Sequence, residues 1–187
     1  MVRYPRAKFV AANESNIGGY LNPGAVSMFV VHIAQGNNQS GCDAWFQDPA
    51  AQVSAHFSVS RMGVVHQYVD LDRQAWAEEN YNDMAISIEH MGYSGDKLTW
   101  LQLRASVRLL RWLHEVFPAV PAVRVGSPSS RGVIGHGELG VPGGDHPDCP
   151  GTPVLYQFNV ALRPHQPTSS KARLPFMYRI LHSRGVK

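Results

Sequence analysis

The sequence predicts an α/β fold in which a mixed central β-sheet is flanked by helices. Short apolar runs rich in β-branched residues indicate buried strands, and one long segment carries apolar residues at helical spacing. Strand and helix patterns do not alternate strictly along the chain, which favours a mixed sheet over a wholly parallel one. A chain of 187 residues is long enough for one such domain with a short extension.

Two segments early in the chain have strand patterns. Residues 26–33 form a continuous apolar run, as expected for a central strand that is buried on both faces. Residues 54–72, SAHFSVSRMGVVHQYVDLD, contain two alternating runs around Gly63. Because glycine tolerates a positive φ, this arrangement predicts a hairpin.

A third strand is predicted at residues 84–92, MAISIEHMG. Successive side chains of a strand point to opposite faces, so this segment has one apolar face and one small, polar face that ends in a carboxylate. The two faces comprise Met84, Ile86 and Ile88 on one side, and Ala85, Ser87 and Glu89 on the other.

The clearest helix is predicted at residues 99–117, where apolar residues recur every three or four positions. Thr99 is a suitable N-cap, and Pro118 ends the segment. Shorter helices are predicted at residues 41–47 and 152–162.

A domain boundary is predicted between residues 163 and 164, where the composition shifts to proline, serine and basic residues. Residues 164–187 contain five basic residues and no acidic one, and we interpret them as a basic tail or linker. Residues 1–163 hold the other 12 basic residues and all 14 acids, with no basic run typical of a nucleic-acid-binding protein. We therefore expect no nucleic-acid partner.

The sequence also indicates in which cellular compartment the protein is made. No window approaches 18 consecutive apolar residues, so we expect no membrane span. The first ten residues, MVRYPRAKFV, lack the apolar stretch of a secretory signal, which predicts synthesis in the cytoplasm. Two cysteines in a chain of this length do not make a disulfide framework.

Residues 135–151, GHGELGVPGGDHPDCPG, are a loop with an unusual density of reactive side chains. His136, His146 and Cys149 lie in it, and His32 ends the predicted central strand. His32 and His136 together with Cys149 make a donor set that suits zinc, which in catalytic sites takes three protein ligands and a water. The spacing alone supports this only weakly, and the chain has no HExxH motif.

Five segments occur in an order that resembles the type 2 N-acetylmuramoyl-L-alanine amidases, a family that includes phage lysozyme-type amidases and peptidoglycan-recognition proteins. They span most of the chain, from about residue 26 to residue 160. The segments are VVHIAQG, SAHFSVSRMGVVHQYV, QAWAEENYN, ISIEHMGY and VIGHGEL with DCPG.

The resemblance implies a zinc site in a groove beside a mixed sheet, within a catalytic domain of residues 1–163. His32, His136 and Cys149 match the family's ligands, and Glu89 matches its catalytic carboxylate. Other members use a tyrosine where this chain has Ala55, so Glu89 must carry that role. The implied reaction is hydrolysis of the amide between the lactyl group of N-acetylmuramic acid and L-alanine in peptidoglycan.

The chain departs from the family pattern at two positions. Many members have a histidine where this chain has Ala77, and a lysine or threonine where it has Pro147. His146 or His56 is then the candidate for stabilising the oxyanion or for orienting a ligand. If Asp148 were the third ligand in place of Cys149, His146 would lie two residues before it, as the family often places a catalytic side chain. We expect Cys149 because family members with CPG use the cysteine.

Further expectations concern the substrate and the biology. We expect substrate contacts from His56, Trp76 and Asn80. We also expect a monomeric, endolysin-type enzyme that is held in the cytoplasm until it is released to degrade the cell wall. The alternatives are a non-catalytic peptidoglycan-binding module and an unrelated metallohydrolase.

Overall fold

The computed structural model describes residues 2–163. The predicted basic tail, residues 164–187, lies outside the described residues, so the predicted boundary stays a prediction. Among residues 2–163, no helix is both long enough and apolar enough to cross a membrane.

The sheet at the centre of the fold has six strands. In spatial order they are β1 (Ala7–Phe9), β5 (Val65–Gln67), β4 (Phe57–Val59), β7 (Ala85–His90), β3 (Met28–Ile33) and β8 (Gly132–Gly135). Strands β4, β7, β3 and β8 run parallel to one another, whereas β5 is antiparallel to β4. This mixture confirms the predicted α/β class. Two further strands, β2 (Ile17–Tyr20) and β6 (Arg73–Ala75), form a separate antiparallel pair.

Three α-helices accompany the sheet: α1 (Gln39–Gln47), α2 (Trp100–Val116) and α3 (Thr152–Ala161). The predicted N-cap of the long helix is confirmed, because Thr99 accepts a hydrogen bond from the backbone of Gln102 and the Gln102 side chain bonds back to Thr99. Short 3-10 segments lie at Glu14–Asn16, Glu79–Tyr81, His136–Leu139 and Val141–Gly143.

The two faces of the sheet pack against different parts of the chain. Phe29 and Val31 of β3 share a core with residues of α2 and α3 such as Leu109 and Phe158. Met28 belongs to a second cluster with residues of β8 and of the loop after it. Because side chains alternate along a strand, His32 lies on the face of Met28 and points away from α2 and α3.

The predicted hairpin is confirmed as β4 and β5. Gly63 in its turn has a φ of 78°, and a Cβ there would lie 2.7 Å from the carbonyl oxygen of Leu101. A larger residue would therefore meet both backbone strain and a clash with the start of α2.

One detail of the predicted strand at residues 84–92 was wrong. Met84 does not share a face with Ile86 and Ile88; it packs in the same cluster as Ala85. The reason is that Met84 lies in a turn, where its N–H donates to the carbonyl of Tyr81, and the alternation begins only at Ala85.

Candidate functional site

The sheet brings distant residues together at one edge. Strands β3 and β7 are paired in parallel with His32 opposite Glu89, and Val31 of β3 lies opposite Gly135, the last residue of β8. His136 follows immediately, so it emerges beside His32. The carboxyl ends of parallel strands form a common edge of the sheet, where ligand sites are usual in α/β folds.

Cys149 completes a cluster with the two histidines. One side-chain donor atom from each of His32, His136 and Cys149 lies within 4.8 Å of the others. The loop holds Cys149 in place, because its carbonyl accepts the N–H of Gly137 at 2.6 Å and its Sγ accepts the N–H of Ile33 at 3.4 Å. Two imidazoles and a thiol gathered in this way fit the donor set of a zinc site.

Hydrogen bonds determine which nitrogen each histidine can offer. Nε2 of His136 lies 2.7 Å from the carbonyl oxygen of Gly143, and because a carbonyl only accepts, this nitrogen carries the proton. Nε2 of His32 lies 2.9 Å from a carboxylate oxygen of Glu78. Nδ1 is therefore the nitrogen that each ring has free for a metal.

Burial dominates the electrostatics of the cluster. It lowers the pKa of His32 to about 3 and that of His136 to about 4, so both rings are neutral, as metal ligands must be. Burial, reinforced by the negative charge of Glu89, raises the pKa of the Cys149 thiol to about 12. A cation at the cluster would reverse this and favour the thiolate.

Glu89 lies next to the cluster. Its Oε1 is 4.0 Å from Nδ1 of His32, and its Oε2 is buried without a hydrogen-bond partner among residues 2–163. Burial raises the pKa of Glu89 to about 8, and the neighbouring acid Glu78 contributes to the same shift. A carboxylate whose pKa lies near neutrality is suited to receiving a proton and passing it on.

The cluster lies at the floor of a groove that consists of three cavities, one central and two beside it. The central cavity, of about 310 Å³, is lined by the three cluster residues, Glu89 and His146. A cavity of about 540 Å³ adjoins it on the side of α1, and one of about 270 Å³ adjoins it on the side of Trp76. The central cavity shares Trp45 with the first neighbour and His146 with the second, so the groove is continuous.

His146 and Asp148 both come from the loop of residues 135–151, but His146 lines the groove and Asp148 does not. The ring of His146 lies 4.8 Å from that of His136, at the junction of the central cavity and the cavity beside Trp76. Asp148 is exposed and its backbone carbonyl accepts a hydrogen bond from Ser94, while its carboxylate is outside the cluster of His32, His136 and Cys149.

The three expected substrate residues are not brought together. Trp76 lines the smaller cavity, but Asn80 is exposed and lines none of the three. His56 is completely buried away from the groove. Its Nδ1 accepts the N–H of Ser87 at 3.1 Å and its Nε2 donates to the carbonyl of Arg73 at 3.0 Å, so it has no nitrogen left for a substrate.

Sequence reasoning missed Glu78, the buried partner of His32. Glu78 and Glu79 are consecutive acids in the segment QAWAEENYN, yet Glu78 is buried and Glu79 is exposed. Two adjacent carboxylates give no periodic signal that would tell which one is buried. The signal that pointed to this region was only the match of the whole segment.

The chain is similar in sequence to known amidases. The sequence profile of the family described as N-acetylmuramoyl-L-alanine amidase matches residues 22–152. N-acetylmuramoyl-L-alanine amidase A from Achromobacter lyticus is 34% identical over 113 residues, which are 59% of this chain. The match spans 62% of that relative's length.

Solved structures share the fold at low sequence identity. A selenomethionine derivative of AmpD has a TM-score of 0.65 at 22% identity, with 86% of this chain and 96% of that one covered. The hydrolase AmiA from Staphylococcus aureus has a TM-score of 0.61 at 14% identity, with 85% of each chain covered. The amidase LysC from Clostridium intestinale has a TM-score of 0.56 at 16% identity, with 83% of this chain and 97% of that one covered.

Proposed function

Because the chain belongs to the N-acetylmuramoyl-L-alanine amidase family, we propose that it hydrolyses the amide between the lactyl group of N-acetylmuramic acid and L-alanine in peptidoglycan. The observation that carries the proposal is the cluster of two neutral imidazoles and a thiol beside Glu89, at the floor of an open groove. Such a donor set with an adjacent carboxylate is suited to amide hydrolysis.

We propose that His32, His136 and Cys149 hold a zinc ion. Zinc in such a site supplies a Lewis acid that polarises a carbonyl and lowers the pKa of water to about 7. The residues contribute a pocket for it: Nδ1 of each histidine faces the cluster, and the N–H of Ile33 donates to Sγ of Cys149.

Glu89 is the proposed proton carrier. Its carboxylate opens to the central cavity, where it can take a proton from water and deliver it to the leaving alanine nitrogen. His146, at the rim of the same cavity, is the proposed donor to the oxygen of the scissile carbonyl. Trp76 lines the adjoining cavity and is the proposed contact for the sugar or peptide beyond the scissile bond.

Digestion of purified peptidoglycan tests the proposal. We expect new alanine amines and lactyl carboxylates in equal number, and sugar chains of unchanged length. We expect this release to stop on chelation and to return with zinc. Release without any metal in the sample would contradict the zinc assignment, and cleavage at another bond would contradict the reaction. Wall binding without products would indicate a binding module.

The proposed biological role is degradation of the bacterial wall during lysis, as an endolysin. Expression in the cytoplasm of a bacterium, followed by permeabilisation of the membrane, tests it. We expect a rapid fall in turbidity that is absent with the Glu89→Gln variant, and lysis at the same rate with that variant would contradict the role.

A further inference from the structure

Glu78 is the most deeply buried acid in the described part of the chain, with no solvent exposure. Its Oε1 lies 2.9 Å from Nε2 of His32, whose ring is itself almost inaccessible. A buried carboxylate is strongly destabilising unless it is hydrogen-bonded or lies near positive charge. Because this acid is buried in contact with a candidate metal ligand, we infer that it acts on that ligand.

The turn around Glu78 is held rigidly. Oδ1 of Asn82 accepts two backbone N–H groups, from Ala77 at 3.0 Å and from Glu78 at 2.7 Å. The carbonyl of Glu78 also accepts the N–H of Tyr81 at 2.9 Å, at the start of a 3-10 turn. Because the backbone is fixed in this way, the Glu78 carboxylate reaches the His32 ring from one defined direction.

The two histidines of the cluster receive different support. His136 donates from Nε2 to a neutral acceptor, the carbonyl of Gly143, whereas His32 faces the carboxylate of Glu78. A carboxylate bonded to the far nitrogen of an imidazole fixes the ring orientation and makes the near nitrogen a stronger donor to a metal. Together with the thiolate of Cys149, Glu78 would also balance the two positive charges of zinc.

We propose that Glu78 is a positioning residue that holds His32 with Nδ1 turned to the metal and thereby raises zinc affinity. This inference rests on the proposed zinc site. It assigns to Glu78 no contact with substrate and no proton transfer, which separates its role from that of Glu89.

Zinc titration of the full chain tests the proposal, with the metal alone as the probe and a competing chelator as the reporter. Glu78→Gln keeps the size and one acceptor oxygen but removes the charge, and we expect zinc affinity to fall by about 10- to 100-fold. Asp83→Asn removes an exposed charge from the same loop and is the matched control, with unchanged affinity.

A second measurement separates positioning from a merely structural role. In the zinc-loaded protein, imidazole ¹⁵N shifts should show His32 bound to the metal through Nδ1 and protonated on Nε2, and Glu78→Ala should give a mixture of the two ring orientations. Zinc affinity and a His32 ring orientation that are unchanged in both Glu78 variants would overturn the inference. If the unsubstituted chain itself binds no zinc, the proposed zinc site fails, and the inference fails with it.

Discussion

At the scale of single residues, Glu89 is the first to test, because its carboxylate lines the central cavity beside His32. We predict that Glu89→Gln leaves the zinc content unchanged and lowers the rate of amide cleavage by about 10²- to 10⁴-fold, the usual contribution of a general acid–base group. Zinc analysis and product release from the same sample measure both. A variant with nearly full turnover would show that Glu89 is an ordinary carboxylate at the rim.

The neighbours Cys149 and Asp148 allow a sharp test of the third ligand. The thiol of Cys149 lies in the cluster, whereas Asp148 is exposed. We predict that Cys149→Ala loses most of its bound zinc, because two remaining ligands hold the ion poorly. Asp148→Asn is the matched control, and we expect it to keep the metal. The reverse result would make Asp148 the ligand.

At the scale of elements, His56 joins three strands. It lies just before β4, accepts the N–H of Ser87 in β7 and donates to Arg73 at the start of β6. Burial lowers its pKa from 6.5 to about 4, so the ring is neutral when the protein is folded. In the structure, His56 therefore serves as a buried connection between strands.

This connection predicts a dependence of stability on pH. Between about pH 6.5 and 4, the unfolded chain binds a proton at His56 that the folded chain does not, so acidification favours unfolding. From about pH 7.5 to 5, we expect this group alone to remove about 2 kcal/mol from the free energy of unfolding.

Urea unfolding at both pH values measures the effect. His56→Gln should be less stable near neutrality, because it loses a buried bond, but its stability should fall less on acidification than that of the unsubstituted chain. An equal fall in both proteins would contradict the assignment of a neutral, buried ring.

At the scale of the whole molecule, the core and the groove are formed within residues 2–163. We predict that a chain ending at residue 163 keeps its zinc and unfolds within about 4 °C of the full chain, a change of about 1 kcal/mol for a protein of this size. Thermal unfolding of the two lengths, with metal content as the control for the site, checks this. A larger decrease would show that residues 164–187 contribute to the stability of the domain.

Local patterns predicted much of the fold because they act over a few residues. The helix expected at residues 99–117 was found at Trp100–Val116, since apolar spacing and the Thr99 cap are both local signals. Alternation failed only at Met84, where a turn interrupts the extended backbone.

The candidate site was predictable to a lesser extent. Family resemblance selected His32, His136 and Cys149, and the structure brings these three together. The resemblance could not predict that His56 is buried. The two hydrogen-bond partners of His56 come from other strands, which are separated from it in sequence.

The amino-acid sequence by itself determined which segments become strands and helices, and which chemical groups the loop offers, because periodicity and residue type are properties of the chain. Only the tertiary structure decided how those groups face one another. Parallel register places His32 opposite Glu89, and the turn held by Asn82 buries Glu78 against His32. Strand order and the burial of one of two adjacent acids depend on long-range packing, and no local pattern encodes them.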